Sequence, residues 1–108
     1  MLPEVDPPTV ARRLKEDPES IVLLDVRWDS ERRRAAIEPS IHIPMDEVPE
    51  RLEEIPKDRE VVVYCHMGSR SLMVAGFLRE NGFSCVANLS GGIDAWSVRV
   101  DPRVPRYG

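Results

Sequence analysis

Two runs of mostly apolar residues limit what this 108-residue chain can fold into. Residues 21–26 (IVLLDV) and 60–64 (EVVVY) are rich in β-branched side chains and do not alternate between polar and apolar positions. Such runs are typical of strands that are buried on both faces, as in a parallel sheet covered by helices. Because helical patterns separate these runs, we predict an α/β sandwich built around a mainly parallel sheet.

Helix caps, turn residues and apolar spacing predict the remaining elements. Asp6 is placed to cap a first helix, which has Pro7 at its first position and stops before Pro18. The tail from Pro102 is expected to pack over the surface or to fray. The other predicted elements are helices at 29–36 and 69–81, a helix capped by Asp46 that carries Val48, Leu52 and Ile55, strands at 40–43 and 84–88, and a short helix that opens at Gly91-Gly92 and carries Trp96.

Charge and composition exclude several classes of protein. Fifteen Lys and Arg against nineteen Asp and Glu give a net charge of −4, which argues against a nucleic-acid partner. The basic run Arg32-Arg33-Arg34 is predicted to be a solvated helix face. No apolar run approaches the roughly 18 to 20 residues that span a bilayer, and the first ten residues show no secretory pattern. We therefore expect a cytoplasmic protein without a membrane partner, folded as one domain over residues 1–108 with its core at 9–98 and a short C-terminal tail.

The two cysteines, Cys65 and Cys85, have different predicted roles. Two cysteines provide neither a disulfide framework nor a four-cysteine zinc site, and pairing Cys65 with His66 leaves a metal two ligands short. Cys85 lies inside a predicted strand and is expected to be a small core residue. Cys65 instead follows a buried strand directly, at the sheet edge where parallel α/β proteins bind their ligands.

The loop after Cys65 has the residue types of an anion cradle. Gly68 allows a sharp turn, and successive backbone amides at the start of a helix form a nest for an anion. The same field, together with the charge of Arg70, favours the thiolate of Cys65, whose free pKa is about 8.5. Ser69 and Ser71 can cap the helix or donate their hydroxyls to the anion. The pattern therefore predicts a nucleophilic sulfur inside a ring of donors.

This loop resembles the active-site loop of the rhodanese-like sulfurtransferase family, with a cysteine, four intervening residues, an arginine and then a serine. The resemblance implies a three-layer α/β sandwich with a mainly parallel five-stranded sheet. It also implies that Cys65 is the catalytic residue and that the loop binds substrate through His66, Met67, Gly68, Ser69, Arg70 and Ser71. Two departures stand near the site: residues 35–40 (AAIEPS) lack a histidine that the family often carries, and Arg32 replaces a common aromatic residue. Further segments resemble those of the family and occur in the same order along the chain, namely 24–27 (LDVR), 41–44 (IHIP), and 89–92 (LSGG) followed by Trp96.

The resemblance implies sulfur transfer through a persulfide on Cys65. The sulfur comes from a small donor such as thiosulfate and goes to cyanide, a thiol or a sulfur-accepting protein, and no metal or organic cofactor is implied. A persulfide carrier or regulatory module that docks on a partner without turnover would use the same cysteine and stays open. A phosphatase or arsenate reductase of similar architecture has five residues between cysteine and arginine, whereas this loop has four.

Residues near the loop have structural interpretations as well. Asp25 ends a buried strand and is predicted to pair with Arg27 in support of the site, rather than to act as a catalytic acid. His66 is expected at the exposed rim, and His42 is expected to pack at a strand end. Trp96 is expected in the core or in a pocket wall.

Overall fold

Five parallel strands form one sheet in the computed structural model, which describes residues 2–108. The strands are β1 (Glu4–Val5), β2 (Ile21–Asp25), β3 (Ile41–His42), β4 (Glu60–Tyr64) and β5 (Val86–Leu89). Their order in the sheet is β1-β5-β4-β2-β3, and every pairing is parallel. The two predicted central runs, β2 and β4, are neighbours with Leu23 opposite Val62. None of the helices in residues 2–108 is long and apolar enough to cross a membrane.

Helices cover both faces of the sheet, which confirms the predicted three-layer α/β fold. They are α1 (Pro7–Glu16), α2 (Asp29–Arg34), α3 (Ser69–Glu80) and α4 (Gly92–Arg99). Alternate residues of β4 serve the two faces, because Val61 and Val63 pack with α3 while Val62 and Tyr64 pack on the side of α1 and α4. Burial on both faces explains why β2 and β4 are apolar over most of their length.

The first helix follows its sequence signals. The Asp6 carboxylate accepts a hydrogen bond from the Thr9 amide at 2.9 Å, and Pro7 occupies the first helical position. The helix ends at Glu16, before Pro18, as predicted. Val10 on its inner face is fully buried against the sheet.

The prediction of an ordinary helix capped by Asp46 is wrong. Two short 3-10 helices, Met45–Glu50 and Leu52–Glu54, occupy the segment, and Pro44 rather than Asp46 precedes the first. Pro49 has no amide hydrogen, and the amide of Arg51 bonds to the carbonyl of Val48, three residues back, at 3.0 Å. Val48 and Ile55 are still buried, so the predicted apolar face is present without the predicted helix.

The last strand begins later than predicted, and this corrects the interpretation of Cys85. The strand starts at Val86, so Cys85 lies outside it and its side chain is exposed. Its carbonyl still accepts the Val61 amide at 3.0 Å, which ties the backbone to the sheet while the side chain faces solvent. Both cysteines are free thiols.

Candidate active site

Cys65 is positioned by β4 on one side and by the start of α4 on the other. It follows Tyr64 directly, is 1 % exposed, and its carbonyl accepts the Ile93 amide at 2.9 Å. The carbonyl of His66 likewise accepts the Asp94 amide at 3.1 Å. Gly92, at φ +62°, allows this approach, because a Cβ there would lie 2.6 Å from the carbonyl carbon of His66. Gly92 therefore allows the start of α4 to pack directly against the backbone of Cys65 and His66.

The loop between Cys65 and α3 directs donors at the sulfur. Gly68 has φ +113°, and its amide donates to Cys65 Sγ at 3.1 Å. The Ser71 hydroxyl lies 3.4 Å from the same sulfur. Burial opposes ionisation, but the Ser71 hydroxyl and the backbone amides of Ser71, Gly68 and Arg70 outweigh it, so the pKa of Cys65 is lowered. The site is thus arranged to hold a thiolate.

A second ring of hydrogen bonds fixes Ser71 behind the sulfur. Its hydroxyl bonds Asn88 Oδ1, while Asn88 Nδ2 donates to the Gly68 carbonyl and to Glu4 Oε1, each at 3.1 Å. A serine hydroxyl has one hydrogen, so Ser71 donates either to Asn88 or to the thiolate. Asn88 and Glu4 were not predicted, because their role depends on β5 and β1 meeting beside the loop.

Arg70 is held by Glu31 instead of pointing freely into the cradle. Its two terminal nitrogens donate to Glu31 Oε1 at 2.7 Å and to Oε2 at 2.9 Å. The hydrogen bonds from Arg70 are the main cause that lowers the pKa of Glu31 to about 2. The sequence analysis did not predict a role for Glu31, which lies on α2, 39 residues before Arg70 in the chain.

The C-terminal tail lies over His66, so the prediction of an exposed rim residue is wrong. The rings of His66 and Tyr107 stack with centroids 4.0 Å apart and planes 15° apart. The Tyr107 hydroxyl donates to Glu31 Oε2 at 2.8 Å and accepts from Arg27 Nη1 at 2.9 Å. His66 is therefore half-buried, and its Nε2 has no hydrogen-bond partner within residues 2–108. The tail packs over the surface, which is one of the two outcomes expected for it.

The predicted pair of Asp25 and Arg27 is present in the structure. Arg27 donates through Nη2 to Asp25 Oδ2 at 2.7 Å and through Nε to Oδ1 at 2.9 Å, and both side chains are fully buried. Burial raises the pKa of Asp25, but the hydrogen bonds and charge of Arg27 prevail and the pKa is lowered. Arg27 also donates to the carbonyl of Ala35 at 2.7 Å. The pair thus braces the chain between α2 and β3, next to the residues that hold Arg70.

Arg32 is not the solvated residue that its basic run predicted. Its Nη1 donates to Asp25 Oδ2 at 3.1 Å and to Ser40 Oγ at 2.7 Å, whereas Arg33 and Arg34 are exposed as expected. The charge of Arg32 therefore reaches the buried carboxylate of Asp25.

The other predicted site residues take up positions around the loop. Met67 and Ser69 are exposed at its outer side. His42 packs at the end of β3, with Nε2 2.8 Å from the carbonyl of Arg27. Trp96 belongs to the apolar cluster under α1 and α4, as expected.

Comparison with known proteins identifies the family. The sequence model of the rhodanese-like domain matches residues 7–99, and the chain belongs to the rhodanese-like family. It is 40 % identical over 97 residues to a "Sulfurtransferase" of Allochromatium vinosum, which covers 90 % of each chain. It is 37 % identical over 76 residues to the "Thiosulfate sulfurtransferase GlpE" of Coxiella burnetii, across 70 % of this chain and 71 % of that one. A rhodanese-like domain protein from Staphylococcus aureus superposes with a TM-score of 0.84 at 27 % identity, over 99 % of this chain and 100 % of that one.

Proposed function

We propose that this protein is a sulfurtransferase that carries sulfane sulfur as a persulfide on Cys65. The names of its relatives support sulfur transfer in general. The observation that carries the finer proposal is the environment of Sγ, which is buried yet lies 3.1 Å from the Gly68 amide and 3.4 Å from the Ser71 hydroxyl. Such donors stabilise a negative sulfur, whether it is the Cys65 thiolate or the outer sulfur of a persulfide.

The chemistry proceeds in two half-reactions. The Cys65 thiolate attacks the outer sulfur of a donor such as thiosulfate, a new S–S bond forms, and the old S–S bond breaks as sulfite leaves with its electron pair. A thiophilic acceptor, which is cyanide, a thiol or a protein thiol, then attacks the outer sulfur and releases the Cys65 thiolate. No step transfers electrons to or from a third reagent. The proposal sets the reaction in the cytoplasm, where thiols are kept reduced.

The size of the loop supports sulfur transfer over hydrolysis of phosphate esters. Four residues separate Cys65 from Arg70, and within this short ring the Gly68 amide already lies against Sγ at 3.1 Å. A tetrahedral phosphate would need donors set farther from the sulfur. Glu31 also occupies both terminal nitrogens of Arg70, which a bound phosphate would require.

Steady-state turnover tests the proposal. We expect the unmodified protein to convert cyanide to thiocyanate with thiosulfate or an organic persulfide as the donor. Cys65→Ser should abolish turnover with both donors, and Cys85→Ser, at an exposed cysteine outside the loop, should retain it. Substantial turnover by Cys65→Ser would refute the mechanism. Loading of Cys65 without turnover would replace the transferase proposal with a carrier.

A further inference from the structure

We propose that Glu31 sets the donor preference of this site: by occupying both terminal nitrogens of Arg70 it disfavours dianionic donors such as thiosulfate and favours organic persulfides. This inference rests on the proposed sulfur transfer and concerns which donor the same site takes. It assigns Glu31 as a positioning residue that acts through Arg70.

The paired side chains of Arg70 and Glu31 carry no net charge between them. The two nitrogen–oxygen distances are 2.7 and 2.9 Å, the geometry of a bidentate charge-assisted pair. The Glu31 side chain is only 15 % exposed, so solvent screens the pair weakly. An anion that uses Arg70 must therefore separate this pair or share the arginine with a carboxylate beside it.

Glu31 is itself held in place, so it does not move aside freely. Its Oε2 accepts the Tyr107 hydroxyl at 2.8 Å, and its Oε1 accepts the Trp28 amide at 3.1 Å. Tyr107 is fixed in turn by its stacking on His66 and by the bond from Arg27 Nη1. Displacement of Glu31 by a donor would break contacts that reach from α2 to the C-terminal tail.

The neighbouring cations do not replace the charge of Arg70. Arg27 is fully buried against Asp25, and Arg32 bonds the same carboxylate. Arg34 lies over the Tyr107 ring, 5.7 Å from its centroid. The backbone amides around Sγ remain, and they suit a single negative sulfur better than a dianion that also carries a sulfonate group.

An organic persulfide meets these constraints. Its outer sulfur carries no bulky group, so it fits among the backbone amides around Sγ. Its organic group can lie on the exposed apolar side chains of Met67, in the loop, and Trp28, before α2. The Cys65 thiolate attacks the outer sulfur of RS–SH, the new S–S bond forms, the donor S–S bond breaks, and RS⁻ leaves with the electron pair. The proton stays on the transferred sulfur, so atoms and charge balance.

The test compares two donors, thiosulfate and N-acetylcysteine persulfide, on Glu31→Gln. The glutamine keeps the size and one acceptor oxygen but removes the charge that competes for Arg70. We expect KM for thiosulfate to fall about tenfold while KM for the persulfide changes less than about twofold, with kcat for both donors little altered. Glu54→Gln, which removes an exposed carboxylate bonded to Arg51 elsewhere in the chain, is the matched control and should change neither KM.

A second variant keeps the inference testable if Glu31→Gln folds poorly. Tyr107→Phe retains the ring on His66 but removes the hydroxyl that holds Glu31, so KM for thiosulfate should fall in the same direction by a smaller factor. An unchanged ratio of the two KM values in both variants, or a rise in KM for thiosulfate, would overturn the role of Glu31. Absence of sulfur transfer from either donor to the unmodified protein would instead refute the proposed function.

Discussion

At the scale of single residues, the reactivity of Cys65 depends on a few donors around one sulfur. Burial alone would raise the pKa of the thiol, and the donors from Gly68, Arg70 and Ser71 reverse that direction. Ser71 differs from the backbone donors because its hydroxyl has a competing acceptor in Asn88 Oδ1. The Ser71 hydroxyl therefore stabilises the thiolate less than a free donor would, because it must first give up its hydrogen bond to Asn88.

Ser71→Ala should raise the pKa of Cys65 without abolishing thiolate formation, because the Ser71 backbone amide and the Gly68 amide remain. The thiolate exists above the folded pKa, so a raised pKa lowers the alkylation rate at neutral pH and moves the rate profile to higher pH. Iodoacetamide alkylation of Cys65 as a function of pH measures this change. Ser84→Ala, at an exposed serine before β5, is the control, and a Ser71→Ala profile identical to that of the unmodified protein would show that the hydroxyl plays no part.

The residues that could be predicted at this scale are those within the loop itself. Cys65, Gly68, Arg70 and Ser71 lie within seven consecutive positions, so local spacing was enough to group them. Glu31 and Tyr107 reach the site from positions 76 residues apart, and nothing in the local sequence of either indicates that they meet. The burial of His66 could not be predicted for the same reason, since it depends on where the tail returns.

At the scale of helices and strands, the elements with strong local sequence patterns were predicted correctly, and those with weak patterns were not. β4 matches its predicted bounds of 60–64, and α1 begins after its predicted cap, Asp6, and ends at Glu16, before Pro18, as predicted. β1 was missed because two residues carry no periodicity and the strand exists through its pairing with β5, 84 residues along the chain. Val48, Leu52 and Ile55 have helical apolar spacing, but their segment forms two short 3-10 helices, the first of which contains Pro49.

At the scale of the whole molecule, one buried carboxylate joins distant parts of the fold. Asp25 at the end of β2 bonds Arg27, Arg32 of α2, and the Tyr64 hydroxyl at the end of β4, the last at 3.2 Å. Arg27 extends the network to Tyr107 in the C-terminal tail. Sheet, helix and tail are thus tied together behind the active-site loop.

Asp25→Asn should destabilise the fold by about 3–5 kcal/mol, because it leaves the fully buried Arg27 without its counter-charge. Since the fold lowers the pKa of Asp25, the difference in stability between the unmodified protein and the variant should be fully present at pH values above the ordinary carboxyl pKa. It should shrink as the pH falls towards the lowered pKa of Asp25. Urea unfolding at several pH values measures it. Asp101→Asn, which removes a pair with the exposed Arg103, should change the stability far less, because solvent screens that pair, and a similarly small effect of Asp25→Asn would contradict the account.

The central claim is that Cys65 carries the transferred sulfur, and intact-mass spectrometry tests it most directly. The unmodified protein is incubated with excess thiosulfate, its mass is measured, cyanide is added, and the mass is measured again. We expect a gain of one sulfur atom, located by peptide analysis on Cys65 and absent from the exposed Cys85, followed by its loss on addition of cyanide with release of an equal amount of thiocyanate. No gain of sulfur, or sulfur found on Cys85 and not on Cys65, would contradict the account.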